Sequence, residues 1–380
     1  MEQIYQKLKK KIDIDIVISL FYLGFGIYAF SRIWQYSYII DISNSLKSIL
    51  RLISFFLLIP RIMFQDNIKE ILKTILLLFS TAIICIICGG DKNIILIPML
   101  LIGVKDIDIY KIIKILFIIT LSCTLIHYVF FTIGYINDNN SFFSMFHISS
   151  YPVKNTVMFY DNNMWAIRFT CCIMQYMFLT DRNKNRYLKT FVLLLLSFFM
   201  LFVSQSRASF IICLFLILYM LIEKNSLFYK NIIAFRNVSI ICSFILSILL
   251  IVMPMFQNSI FDKITGYLSG RPIIYNNAFN YMGINILPNI NKFNNMSKVF
   301  GSYMLPDNSY ISVFLKWGLL LSFIMFVFTL IFINKNKNEI IIDYFISVLS
   351  IWFIVEFISM EFVMYFVPLV IFNRYLSDSK

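Results

Sequence analysis

Three arginines stand where arginine is costly. Arg207 closes "LFVSQSR", Arg168 lies in "NNMWAIRFTCCIM" and Arg271 in "LSGRPIIY". A guanidinium at the centre of a span costs about 2.5–3.5 kcal/mol on insertion scales, and one nearer the boundary snorkels to the interface. It is also planar, permanently charged and forked, the shape best suited to hold phosphate. One such residue reads equally well as an anchor to lipid headgroups. Three on one membrane face, each beside Ser, Asn or Gly, favour a diphosphate site, with Ser204 and Ser206 widening the polar patch around Arg207.

Carboxylates supply the second half of any such chemistry. Asp307 and Asn308 precede an apolar run in "LPDNSYISVF". Either residue there suits a helix N-cap, and the Asp307 carboxylate also suits a general base toward a sugar hydroxyl. Glu356 and Glu361 interrupt "FIVEFISMEF". A glutamate inside a span pairs with a cation or lines a polar cavity. Asp161, Asn162 and Asn163 come just before the Arg168 run and read first as a helix start, then as a polar rim. His127, inside a run, reads as a helix–helix hydrogen bonder. The seven cysteines all fall in apolar runs, and the Cys85–Cys88 pair has no second pair or histidine near it, so no metal or redox role is expected. No phosphate-cradling glycine loop or metal-ligand cluster is present. The expectation is an enzyme without cofactor or metal, whose substrate arrives already activated.

The elements that must position these residues are apolar. The chain has 380 residues, 60% hydrophobic and 14% charged, with mean hydropathy +0.80. Soluble domains sit near 45–50% and about 25%, so the bilayer is the solvent. Twelve runs are candidate spans: 14–30, 49–64, 71–88, 94–104, 112–133, 165–179, 188–203, 209–222, 238–256, 309–333, 340–358 and 362–376. The run 94–104 is short enough for a half-span. "KLKKK" before the first run has no cleavage site after it and predicts a retained first helix. Lys and Arg collect in alternate short connections, such as Lys7–Lys11, Lys105–Lys114 and Arg182–Lys189, which places both termini in the cytoplasm. The net charge of +13 thereby reads as topology signalling, with some left over for an anionic ligand, and no nucleic-acid partner is expected. Two long segments, 134–164 and 257–308, fall outside. The expected fold is a single all-α polytopic membrane domain over 1–380, with about 12 transmembrane helices (10–12) and two larger extracytoplasmic loops.

In this arrangement the chain resembles the Wzy-type O-antigen, capsule and exopolysaccharide polymerases, which belong with the O-antigen ligases. The resemblance rests on Ser204-Gln205-Ser206-Arg207 ending a span, Ser269-Gly270-Arg271 with Tyr275 in the later outer loop, and Asp307-Asn308-Ser309-Tyr310 opening the next span before Gly318. "VMFYDNNMWAIRF" matches a further family element, with Asn162 in place of a common proline and Met158 in place of a glycine-like residue. The motifs cover roughly 157–310 and the topology covers the whole chain.

The resemblance implies a GT-C-like, metal-independent glycosyltransferase of the bacterial cytoplasmic membrane. It would join repeat units carried on undecaprenyl diphosphate at the outer face. Arg168, Arg207 and Arg271 would bind diphosphate, and Asp307, Glu356 or Glu361 would be the base. Ser204, Ser206, Asn308, Tyr310, Tyr275, Asp161 and Asn163 would support them. Membrane lipid, a flippase and a chain-length regulator of the same pathway are the implied partners. Two other readings share features: a ligase with the same site and a different acceptor, and a lipid-linked oligosaccharide flippase or other transporter. The long outer loop bearing Arg271 argues against the transporter, which would favour short loops and detectable halves. Asp307, where ligases often have histidine, tilts toward polymerase.

Overall fold

The computed structural model describes residues 14–34, 44–64, 71–72, 74–76, 78–80, 96–132, 162–181, 184–223, 225–253, 271–300, 308–335, 339–354 and 366–378. Among these, the regular elements are α-helices: α1 Ile14–Ile33, α2 Asn44–Met63, α3 Leu96–Gly103, α4 Ile109–Thr132, α5 Asn162–Leu179, α6 Arg186–Ser204, α7 Arg207–Ile222, α8 Ser226–Val252, α9 Arg271–Met282, α10 Ile290–Phe300, α11 Ser309–Lys335, α12 Ile340–Trp352 and α13 Val367–Asp378.

These helices are inside out by the standards of a soluble protein. On α6 the buried face includes Ser197, Met200 and Ser204, whereas Phe191, Leu195, Phe198 and Phe202 are exposed, Phe202 by 62%. On α8 the buried face carries Arg236, Ser239, Ser243 and Ser247, and Val238, Ile241, Ile245 and Leu249 point out. Small and polar residues between helices with large apolar ones outside is the pattern that lipid selects. The apolar helices mark the chain as a membrane protein.

Among the described residues, four helices are long and apolar enough to cross a membrane: Ile14–Ile33, Ile109–Phe130, Arg186–Ser204 and Ser226–Val252. A bent pair in α11 makes a fifth if its halves count as one span. Twelve spans are expected from sequence. Met164–Leu179, Arg207–Ile222, Ile340–Trp352 and Val367–Leu376 are apolar but shorter. At ~1.5 Å per residue they fall short of a hydrocarbon core about 30 Å thick.

Contacts group the helices into two compact units. The first comprises 1–78, 95–224 and 363–380. In it α1 packs on α2 and α4, α5 on α4, α6 and α7, and α13 on α3 and α4. At the α1–α2 contact the Gly24 carbonyl accepts a hydrogen bond from Ser54 Oγ at 2.7 Å. A Cβ at Gly24 would stand 3.0 Å from Leu57 Cβ. The C-terminal helix is pinned by Asn373 Nδ2, which donates to the carbonyls of Val104 and Ile107.

The second unit comprises 79–94 and 225–362. Here α8 packs on α9, α11 and α12, and α9, α10 and α11 pack on one another. The 309–333 run, read from sequence as one span, is broken: Gly318 has φ 75° and ψ 169°, and the halves Ser309–Leu320 and Ser322–Ile331 meet at 113°.

Candidate functional site

Arg207 is the first residue of α7, at a two-residue turn after α6. The turn is built by the serines around it. Ser204 Oγ donates to the carbonyl of Met200 at 2.7 Å, and the Ser206 amide donates to Ser204 Oγ at 3.2 Å. Gln205 takes the left-handed conformation, φ 55°, and closes α6 through its amide on the Leu201 carbonyl. Ser206 occupies the N-cap position of α7 but makes no side-chain cap; its hydroxyl donates to Ser209 Oγ at 3.2 Å. Ser204, Ser206 and Ser209 are buried, while Arg207 is exposed. A cation at a helix N-terminus opposes the helix dipole. Exposed guanidinium and amides without a side-chain cap together favour an anion at this spot.

Arg168 stays inside the run where its sequence context puts it. It lies within α5 and is fully buried. Nε and Nη2 both donate to the Ile33 carbonyl, at 3.3 and 3.0 Å, and Nη1 donates to Met164 O at 2.8 Å. Three of its donor atoms are spent on the chain's own carbonyls, tying α5 to the end of α1. Arg168 is a helix-locking residue in this structure, whereas the sequence reads it as a diphosphate clamp.

Around Arg168 sit Arg32 and Trp34, which the sequence reading passed over, and His127, which it read as a bonder between helices and which bonds within its own helix instead. Arg32, in the last turn of α1, is buried. The Trp34 and His127 rings pack tilted at 59° with centroids 5.0 Å apart, and Trp165 Nε1 donates to Thr124 O at 3.2 Å. His127 Nδ1 lies 2.5 Å from the Cys123 carbonyl in its own helix. A carbonyl only accepts, so Nδ1 carries the proton. The signal for Arg32 was available in "YAFSRIW", a charge at the very end of an apolar run.

Helices α5 and α7 run parallel, because short connections reverse the chain at each end of α6 and all three pack together. Thr170 Oγ1 and Cys213 Sγ meet at 3.3 Å and fix their relative depth. Counting back at ~1.5 Å per residue, Arg207 lies about 6 Å nearer than Arg168 to the shared N-terminal end.

In the second unit Arg271 begins α9 and is half-buried. One turn on, Tyr275 is fully buried in a cluster with Ala278, Met282, Phe293, Met296, Ile311 and Leu315. The motif that carries Arg271 is thus packed on the helix that begins at Ser309. Asn308 caps that helix: its Oδ1 accepts from the Ile311 amide at 3.0 Å and its Nδ2 donates to Ser247 Oγ at 2.8 Å. The Tyr310 hydroxyl donates to the Ser350 carbonyl at 3.3 Å. Asn308 and Tyr310 therefore hold α11 on α8 and α12. Asn163 falls in the first turn of α5. Asp161, Asp307, Glu356 and Glu361 lie outside the described residues.

A buried ion pair that the sequence reading did not single out holds the other end of this unit. Arg236 Nη1 and Asp343 Oδ1 are 2.6 Å apart, both almost fully buried. Asn237 Oδ1 accepts from Arg236 Nε and Nη2 at 3.2 and 3.1 Å, and Asn334 Oδ1 accepts a further bond. Asp343, the lone acid of "IIIDYFISVLSIW", is what Arg236 neutralises.

Compared with known protein families, characterised proteins and solved structures, the chain matches none.

Proposed function

We propose that this chain is a polysaccharide polymerase of a bacterial cytoplasmic membrane. It joins oligosaccharide repeat units carried on undecaprenyl diphosphate by glycosyl transfer, with both termini in the cytoplasm and a GT-C-like set of about twelve spans. The observation that carries the reading is Arg207: an exposed guanidinium at the uncapped start of α7, between two apolar helices. Breaking a sugar–diphosphate bond develops negative charge on the leaving diphosphate. A fixed guanidinium beside helix-terminal amides stabilises that charge in a low-dielectric setting.

Arg271, half-buried in α9, recognises the second diphosphate through its own guanidinium. Both donor and acceptor units ride on lipid diphosphates, so each arginine has an anion to meet. Arg168, buried on carbonyls, positions the helices of the first unit. The acceptor hydroxyl passes its proton to a carboxylate, for which Asp307, next to the capping Asn308, and the span glutamates Glu356 and Glu361 are the candidates.

The test uses purified protein in vesicles loaded with lipid-linked repeat units on one side only. Growth of polymer with release of lipid diphosphate supports the polymerase. Unchanged units carried across the bilayer would show a flippase instead, and transfer to a different acceptor without chain growth would show a ligase.

A further inference from the structure

The bend of α11 is sealed by another stretch of chain. Breaking a helix frees backbone donors and acceptors that need partners. Residues 283–289 supply them: the Leu319 amide donates to Asn285 O at 2.8 Å, the Leu320 amide to Ile286 O at 3.2 Å, and the Asn289 amide to Lys316 O at 3.2 Å. Gly318 makes the approach feasible, since a Cβ there would lie 2.6 Å from the Leu287 carbonyl oxygen.

With backbone facing backbone, the side chains face outward. Ile284, Ile286 and Leu287 are 67%, 64% and 67% exposed, and Leu319, Leu320 and Phe323 on the bend are exposed beside them. A contiguous apolar patch of this kind on irregular backbone is unusual in water. Its rim carries two lysines: Lys292, whose Nζ donates to the Met282 carbonyl at 3.2 Å and lies 5.3 Å from the Tyr281 ring centroid, and Lys316, whose Nζ lies 5.9 Å from the ring centroid of the buried Trp317. Lysine paired with Tyr or Trp is the composition of the membrane–water boundary, where the ammonium meets lipid phosphate.

We propose that residues 283–289 and the bend of α11 form a re-entrant wedge whose partner is the bilayer. Ile284, Ile286 and Leu287 lie in hydrocarbon, and Lys292 and Lys316 lie at the headgroups. Sequence reads this stretch as part of a long loop in water. The patch continues along the second half of α11, where Phe323 and Ile324 are also exposed, so one lipid face covers both.

The test uses the wild-type protein in nanodiscs that contain a phospholipid with a diazirine on its acyl chain. Carbene insertion is mapped by mass spectrometry. The wedge predicts insertion on the 283–289 peptide at a yield comparable to that at Phe323 and Ile324. Labelling of that peptide only by a water-soluble diazirine would overturn the proposal. So would protection from both reagents, which would mean that protein covers the patch.

Discussion

Both Nε and Nη2 of Arg168 converge on the carbonyl oxygen of Ile33, 135 residues earlier in the chain. That carbonyl belongs to the last turn of α1, which the helix leaves without an intrahelical donor and where the dipole is negative. Arg168→Ala orphans it, and the expected cost is about 1–3 kcal/mol. Arg168→Lys keeps the charge but cannot reproduce the fork, so it falls between alanine and wild type. Thermal unfolding in detergent reads both. A wild-type melting temperature for the alanine variant would return Arg168 to the list of ligand-binding candidates.

The Arg236–Asp343 pair predicts a strongly coupled double-mutant cycle. Asp343→Asn leaves a buried guanidinium uncompensated and is expected to cost about 3–5 kcal/mol. Replacing both residues together, as Arg236→Met with Asp343→Leu, recovers most of that loss. Additive losses in chemical or thermal unfolding would show that the two do not act as a pair.

Gly318→Ala asks an L-residue to hold φ 75° and to place a Cβ 2.6 Å from a carbonyl oxygen. Positive φ alone costs of the order of 1–3 kcal/mol, and the backbone clash adds to it. The expected outcome is a marked drop in folded yield and melting temperature. A normal melt would mean that α11 runs without its bend.

Much of the fold is legible along single runs of residues. Hydropathy locates α1, α4, α6 and α7 within three residues at either end, because each helix satisfies its own backbone and needs only a run of apolar side chains. Position within a bundle is another matter. That Arg168 meets Ile33, or Arg236 meets Asp343, depends on which helices become neighbours, and no local pattern carries that. Arg168 and Arg207 look alike in sequence, each a lone cation at the edge of an apolar run. Only packing distinguishes the buried one, bonded to carbonyls, from the exposed one at a helix start. The bend at Gly318 depends on a strand of backbone from 283–289 being at hand, which a single glycine does not announce.

The measurement that bears most directly on the proposed activity is the glycan chain-length profile of cells carrying Arg207→Ala or Arg271→Ala, with membrane insertion and melting temperature checked alongside. Arg207 is exposed and Arg271 half-buried, so both variants are expected to insert and fold. The account predicts that long chains disappear and single repeat units accumulate on lipid. Wild-type chain lengths in both variants, with the protein present in the membrane, would contradict it.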